Sequence, residues 1–86
     1  MWIITCDKFA AANSDPSSVG RRSTDFKEGA LLPFAFRMKD ADGNVYCLGR
    51  SDAESFDPLD DFGKGYWGCT DIEYKPANGI GHWVGL

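Results

Sequence analysis

The fold is decided by residues 33–50, which read PFAFRMKDADGNVYCLGR. Large apolar side chains alternate with other residues on both sides of the central DADG, and a period of two is typical of strands with one buried face. Aspartate followed by glycine favours a tight turn between two strands. The sequence therefore predicts a β-hairpin in this segment.

Two turns could close this hairpin, and they differ by one step in register. A two-residue loop pairs Phe36 with Gly49. A three-residue loop with Gly43 in the left-handed conformation pairs Phe36 with Leu48 instead. We predict the three-residue loop, because it gathers five large side chains on one buried face: Phe34, Phe36, Met38, Tyr46 and Leu48. The residues then predicted on the opposite face are Arg37, Lys39 and Cys47.

The segments that flank the hairpin also indicate strands. Residues 2–9 combine β-branched and aromatic side chains, which are enriched in strands. Residues 69–74 and 80–86 surround the turn sequence PANG at 76–79 and are predicted to form a second hairpin. The chain is therefore predicted to have an α+β, mainly β fold: a four- or five-stranded antiparallel sheet of hairpins with little helix.

Residues 10–32 are rich in small and polar side chains without a steady period. They are predicted to form a long loop with one turn of helix after Asp15-Pro16, because aspartate caps helices and proline suits their first turn. Long loops in compact domains are often functional, so this loop is a candidate contact region.

The segment that follows the first hairpin, residues 51–68, has no strand pattern either. Asp57 is expected to cap a short helix over residues 58–61, and Gly63 is expected to lie just past its end. The side chains that this helix would direct towards the core are Leu59 and Phe62.

The chain has 86 residues, of which 43% are hydrophobic and 26% are charged. A chain of this length supports one hydrophobic core, so residues 1–86 are predicted to be a single domain. The longest uncharged apolar run is far shorter than the roughly 20 residues that cross a membrane. The first residues also lack the basic and apolar pattern of a signal peptide. We therefore expect a cytoplasmic protein with no membrane partner.

Three cysteines, Cys6, Cys47 and Cys69, lie far apart, and an odd number without clustering argues against a disulfide framework. They are expected to be reduced thiols that pack as small apolar groups. A zinc site formed with His82 would lack the C-x-x-C pairs typical of such sites. The sequence GKGYWG at 63–68 has the letters of a dinucleotide-binding loop, but strand residues follow it where that motif needs a helix. No metal and no cofactor are predicted.

The net charge of −4 is distributed unevenly. Residues 1–50 carry seven Lys or Arg against six Asp or Glu, a balance of +1, whereas residues 51–86 carry two against seven, a balance of −5. Nucleic-acid phosphates need a basic face, and the one basic cluster in the sequence is Arg21-Arg22 near Lys27. By this criterion nucleic acid is a poor partner.

The strongest candidate site is an acidic segment that also holds two aromatic residues. Three tryptophans, three tyrosines and six phenylalanines are many for so small a core. Some of them are therefore expected at the surface, where such side chains anchor protein contacts. Two structural alternatives stay open: a solvated acidic loop, and ordinary core packing of the aromatic rings. The predicted protein-binding residues are Asp52, Glu54, Asp57, Asp60, Asp61, Tyr66 and Trp67.

Residues 32–74 contain, in order, the patterns LPFxFR, DxDGxVYxxGRSD, FxPLDDFG and GCTxIEY. These patterns resemble small uncharacterised proteins encoded by bacteria and mobile elements. The resemblance implies one folding unit from the first hairpin to the last strands, and a bacterial or phage setting. It implies no mechanism and no functional residue, and residues 1–31 lie outside it.

We expect a non-enzymatic protein-interaction module that has a protein partner. A narrower form of this hypothesis is a small acidic inhibitor of a host defence complex, anti-CRISPR-like or a nucleic-acid mimic, and a homodimer stays open. The alternative is a small metal-dependent or carboxylate-based enzyme that uses Asp57, Asp60 and Asp61 with His82. Side chains that converge in a concave pocket would favour the enzyme, and side chains that fan outward would favour the interaction module.

Overall fold

The computed structural model describes the backbone of residues 1–86 and all side chains except those at positions 11 and 13. Its strands are β1 (Trp2–Asp7), β2 (Phe34–Lys39), β3 (Val45–Ser51), β4 (Asp71–Pro76) and β5 (Val84–Gly85). They form one antiparallel sheet in the order β1-β3-β2-β4-β5. The predicted α+β, mainly β class with a four- or five-stranded antiparallel sheet is confirmed, and the sheet has five strands.

The first strand ends earlier than predicted because Asp7 begins a helix, α1 (Lys8–Asn13). The Asp7 carboxylate accepts the N–H of Ala10 and the N–H of Ser18, both at 2.7 Å. Burial by itself would raise the pKa of this carboxyl, but these hydrogen bonds hold the pKa below its usual value. The predicted helical turn after Asp15-Pro16 is wrong, because the helix forms where a capping carboxylate satisfies its first N–H groups.

The long loop that follows α1 lies along the free edge of β1. Its Arg21 carbonyl accepts the Ile4 N–H at 2.8 Å, and its Ser23 N–H donates to the Trp2 carbonyl at 3.0 Å. A single bridge joins Ile3 to Arg22 between these bonds. The loop therefore satisfies backbone groups that an edge strand would otherwise leave unpaired.

The turn between β2 and β3 is the predicted three-residue loop. Gly43 is left-handed, with a φ of 85°, and its N–H donates to the Asp40 carbonyl at 3.1 Å. The Asp40 N–H in turn donates to the Asn44 carbonyl at 3.1 Å. Immediately beside the turn, Lys39 pairs with Val45.

Beyond this turn, β3 contains one extra residue, Tyr46, which has no pairing partner in β2. Such a β-bulge moves every later side chain of the strand to the opposite face, because the side-chain period is two. The predicted pairs, Phe36 with Leu48 and Met38 with Tyr46, are therefore wrong. The observed pairs are Phe36 with Gly49, Arg37 with Leu48 and Met38 with Cys47.

The hydrophobic core lies on one face of the sheet, which we call the inner face. Because of the bulge, Cys47 is fully buried in this core, although it was expected on the opposite side. Leu48 lies beside Arg37 on the other face, which we call the outer face. The buried cluster consists of Trp2, Ile4, Phe36, Met38, Cys47, Leu59, Cys69, Ile72 and Tyr74.

A helical segment packs over the inner face, and we call it the helical cover. It consists of a π-helical stretch, Leu59–Gly63, followed directly by α2 (Lys64–Trp67). Leu59 is buried and Phe62 packs against the core, as predicted. Asp57 makes no capping bond to this segment, and the Ser55 hydroxyl accepts the Asp57 N–H at 3.3 Å.

The helical cover is longer than predicted because Gly63 lies inside it rather than past its end. Gly63 has ordinary helical dihedral angles, and a Cβ at this position would overlap the Met38 sulfur. The glycine therefore permits close packing on the sheet. The segment ends instead at Gly68, which is left-handed with a φ of 74°.

The second hairpin forms, but its first strand is displaced by two residues towards the C-terminus and its second strand is shorter than predicted. Strand β4 begins at Asp71, and β5 has two residues that pair Tyr74 with Val84 and Glu73 with Gly85.

Within the part of the chain that the structure describes, no helix is long and apolar enough to cross a membrane.

Candidate functional site

The five predicted acidic site residues all have exposed side chains: Asp52, Glu54 and Asp57 lie between the end of β3 and the helical cover, and Asp60 and Asp61 lie in the helical cover itself. Asp52 accepts a hydrogen bond from the amino group of Met1 at 2.9 Å, and Asp60 accepts one from Lys64 at 3.2 Å. Of the predicted acidic residues, those with no ion pair among the described side chains are Glu54, Asp57 and Asp61. Residues 51–68 carry these five carboxylates against one side-chain cation, Lys64, so the segment stays acidic despite its ion pairs.

The acidic residues do not assemble a metal centre. Among the side chains that the structure describes, no three His, Cys, Asp or Glu residues lie together in a way that could hold a metal ion. His82 is exposed in the loop between β4 and β5. The set proposed for an enzyme, Asp57, Asp60 and Asp61 with His82, is therefore not brought together as a ligand group.

The cysteines are free and two of them are buried, namely Cys47 and Cys69. Burial raises the pKa of the Cys69 thiol to about 11, and it raises the pKa of the Cys47 thiol even further. A thiol must lose its proton to act as a nucleophile or a metal ligand, so burial opposes both roles. These side chains pack as small apolar groups in the core.

The predicted aromatic residues of the site lie in a stacked cluster. Tyr66 is 46% exposed and stacks on Phe62, with ring centroids 4.7 Å apart. Trp67 contacts both rings edge-on, at 5.5 Å from Phe62 and 5.1 Å from Tyr66. Edge and offset arrangements of this kind stabilise aromatic pairs beyond the area they bury.

The cluster continues through residues that the sequence did not single out. Trp67 lies 5.9 Å from Tyr46, and Tyr46 stacks on Phe9 at 5.2 Å. The Tyr46 hydroxyl also donates to Asp40 at 3.0 Å, a bond that raises the pKa of this tyrosine. We call the five rings the aromatic row: Phe9, Tyr46, Trp67, Phe62 and Tyr66.

A cleft of about 340 Å³ separates the helical cover from the loop beside β1. The Arg21 guanidinium lies 5.8 Å from the centre of the Phe62 ring, a distance at which cation and ring attract. Trp2 forms part of the cleft wall, and its buried indole N–H has no partner. The remaining lining residues are Arg22, Ser23, Thr24 and Asp61.

The three glycines near the aromatic row differ in their structural reasons. Gly63 permits packing on Met38, and Gly68 supplies the left-handed residue that ends the helical cover. Gly65 is exposed, and a Cβ at this position would meet no atom within 4 Å. A glycine inside a helix costs roughly 0.5–1 kcal/mol relative to alanine. No contact within the protein explains Gly65.

A scan of protein-family models, a search of curated proteins and a search of solved structures found no match to this chain. The resemblance of residues 32–74 to small bacterial and mobile-element proteins therefore stays a prediction. The function is argued below from the residues and the geometry of the site.

Proposed function

We propose that this protein is a non-enzymatic protein-interaction module that binds a basic partner through the helical cover and the acidic residues 52–57 that precede it. The observation that supports this proposal is an exposed ring, Tyr66, that stacks on Phe62 beside the unpaired carboxylate of Asp61. The contact surface consists of the predicted residues together with Phe62 and Gly65.

The aromatic rings supply the affinity in this proposal. Tyrosine and tryptophan bury large areas at a small cost in side-chain entropy, and they are frequent among the residues that dominate binding energies. Tyr66 is already stacked between neighbours, so little conformational freedom remains to be lost on binding.

The carboxylates supply the specificity. Like charges on neighbouring turns repel each other by a few tenths of a kcal/mol, and a basic partner would relieve that repulsion. Complementary charge also accelerates association and makes it sensitive to salt. Gly65 lies between Asp61 and Trp67 in sequence, is exposed and has no side chain, which would allow a partner to approach the backbone closely.

The narrower form of the proposal is inhibition of a host defence complex by a protein from a phage or mobile element. Such complexes hold nucleic acid in basic grooves, and an acidic surface with exposed rings offers a decoy for phosphates and bases. The acidic balance of residues 51–86 and the suggested phage setting support this form.

The test places a photo-crosslinking amino acid at Ala53, an exposed residue between Asp52 and Glu54, and captures partners from the native host at low and high salt. Wild-type protein is compared with the double variant Asp60→Asn/Asp61→Asn, which should lose about tenfold or more in capture because two partner-facing charges are removed. A matched control, Asp15→Asn/Asp42→Asn, removes two exposed carboxylates elsewhere and should leave capture unchanged.

Thermal unfolding of both double variants separates binding from folding. The Asp60 and Asp61 side chains are exposed, so the site variant should unfold within a few degrees of wild type. If that variant fails to fold, or if it captures the same protein as efficiently as wild type, the helical cover is not the contact surface.

A further inference from the structure

The outer face of the sheet gathers basic residues that are distant in the sequence. Arg37 and Lys39 project from β2, Arg50 from β3 and Lys75 from β4. These four are drawn from nine Lys and Arg in a chain whose net charge is −4. The same register places two carboxylates on this face, Asp71 and Glu73, so four cations stand against two anions in a chain whose overall balance is acidic.

Ion pairing neutralises only one side of this face. Glu73 accepts a hydrogen bond from Arg37 and another, at 3.2 Å, from Lys39. Arg50 and Lys75 have no ion pair with any carboxylate among the described side chains. Two cations on the outer face thus remain available to an anion.

These two cations border a pocket of about 300 Å³ whose lining contains no carboxylate. This volume lies at the lower end of the roughly 300–1,000 Å³ of small-molecule sites. Arg50 and Lys75 provide charge, and Thr5 adds a hydroxyl. Apolar side chains in the lining include Ala35, Leu48 and Trp83.

Trp83 is held in place as a wall of this pocket by two cations. The Arg37 guanidinium lies 4.6 Å from its ring centre and the Lys75 ammonium lies 4.8 Å from it. Such contacts contribute about 0.5–1 kcal/mol at exposed sites. The indole is therefore oriented before any ligand arrives, which lowers the entropic cost of binding.

We propose that this pocket binds a phosphate group attached to a planar or apolar body, the chemistry of a nucleotide. Arginine matches the oxygens of phosphate with its planar fork of N–H donors, and lysine adds a mobile point charge. The Trp83 indole and the aliphatic side chains of the lining form an apolar surface against which the attached body can pack. The nucleotide could come free in solution or as one unit of a single strand. The site lies on the face opposite the helical cover and stands independently of the proposed function.

The experiment titrates the full chain by calorimetry at low salt with three probes: adenosine monophosphate, inorganic phosphate and a short oligothymidylate. Adenosine monophosphate should bind, and Arg50→Gln and Lys75→Gln should each weaken its binding by about tenfold, as expected for a lost charge-assisted hydrogen bond. The matched control Lys64→Gln removes a lysine from the helical cover and should leave binding unchanged.

Comparison of the probes identifies the source of the phosphate. Tighter binding of the oligothymidylate than of the mononucleotide indicates a single strand, and the reverse indicates a free nucleotide. Inorganic phosphate should bind at least about tenfold more weakly than either, because it lacks the body that the apolar wall contacts. The proposal is overturned if no probe binds, if inorganic phosphate binds as tightly as the others, or if Arg50→Gln and Lys64→Gln have equal effects. Circular dichroism of each variant confirms that the sheet is intact.

Discussion

The two faces of the sheet are made by the same strands, yet the side chains of the inner face are buried and apolar, whereas those of the outer face are largely charged and partly exposed. On the inner face Phe36, Met38 and Tyr74 are fully buried beneath the helical cover. On the outer face the intervening positions of the same strands present Arg37 and Glu73, which remain partly exposed. The difference shows that stability is concentrated on one side of each strand, which leaves the other side free for charge and binding.

The largest expected difference between the faces concerns two residues that the sequence placed opposite each other. Phe36→Ala should lower the free energy of unfolding by about 3–5 kcal/mol, because it opens a cavity in the core. Leu48→Ala should lower it by less than about 1.5 kcal/mol, since this side chain is half-buried on the outer face. Denaturant unfolding of both variants measures the two losses. Equal losses would place both side chains in the core and would contradict the bulge at Tyr46.

A second substitution tests how closely the neighbouring strands β1 and β2 approach Gly49 of β3. Gly49→Ala should cost about 1–3 kcal/mol, because its Cβ would overlap the Phe36 ring and the Ile3 carbonyl oxygen. The control is Gly85→Ala in the edge strand β5, where a Cβ would meet no atom within 4 Å. Thermal unfolding should show a clear loss for the first variant and almost none for the second. A Gly49→Ala protein as stable as wild type would mean that the strands lie further apart than described.

The ion pairs of Glu73 on the outer face should make their contribution to the free energy of unfolding depend on pH. Burial by itself would raise the pKa of Glu73, but hydrogen bonds from Arg37 and Lys39 hold it below the ordinary value of 4.5. A carboxyl whose pKa is lower in the folded state stabilises the protein above its unfolded pKa, and that stabilisation is lost as the pH falls through the folded pKa. Glu73→Gln should therefore cost about 1 kcal/mol near neutral pH, and this cost should shrink as the pH falls below 4.5 and through the lowered pKa of Glu73.

Unfolding of wild type and Glu73→Gln across this pH range measures that convergence. The comparison requires the variant, because the pKa of Asp7 is also lowered and its titration destabilises both proteins in acid. A stability difference that is the same at neutral and acid pH would show that Glu73 acts through packing rather than charge.

The smallest expected effect has the opposite sign and lies on the helical cover. Gly65→Ala should raise the free energy of unfolding by roughly 0.5–1 kcal/mol, because alanine loses less backbone entropy and meets no neighbour. The matched variant Gly63→Ala should be destabilised, since the Met38 sulfur would have to move. If Gly65 allows close approach of a partner, the more stable variant should also bind that partner less well. A loss of stability in Gly65→Ala would show that the glycine has a structural role.

Local sequence signals predicted the elements of the fold better than their registration. The DADG turn formed with Gly43 left-handed, because aspartate hydrogen bonds and glycine's conformational freedom act within a few residues. The bulge at Tyr46 has no such local signal, because the contacts that stabilise it come from distant parts of the chain. It buries Cys47 in the core and places Tyr46 against Phe9 and Trp67. The helix after Asp7 could have been predicted, since a capping aspartate precedes a run of helix-forming alanines.

The candidate site was predicted in part for the same reason. The acidic residues lie close to Tyr66 and Trp67 in the chain, so their proximity and the exposure of the carboxylates follow from local composition, whereas Trp67 is half-buried against the core. Their partners in the aromatic row arrive from α1 and β3, and no spacing within the sequence relates those segments. The helix end was predicted wrongly at Gly63, because this glycine is required for close packing on the Met38 sulfur and not for a turn.

The sequence by itself determined the alternation within β2 and β4, the position of the tight turn and the acidic character of residues 51–86. These features depend on side-chain chemistry and on backbone preferences over a few residues. Only the tertiary structure decided that β1 pairs with β3 and β2 with β4, and the second pairing brought Arg50, Lys75 and Trp83 to one pocket on the outer face. The physical reason is that the hydrophobic effect acts on all apolar side chains of the inner face together, so packing over the full sheet sets the register of the strands. That register then fixes which side chains lie beside each other on the outer face.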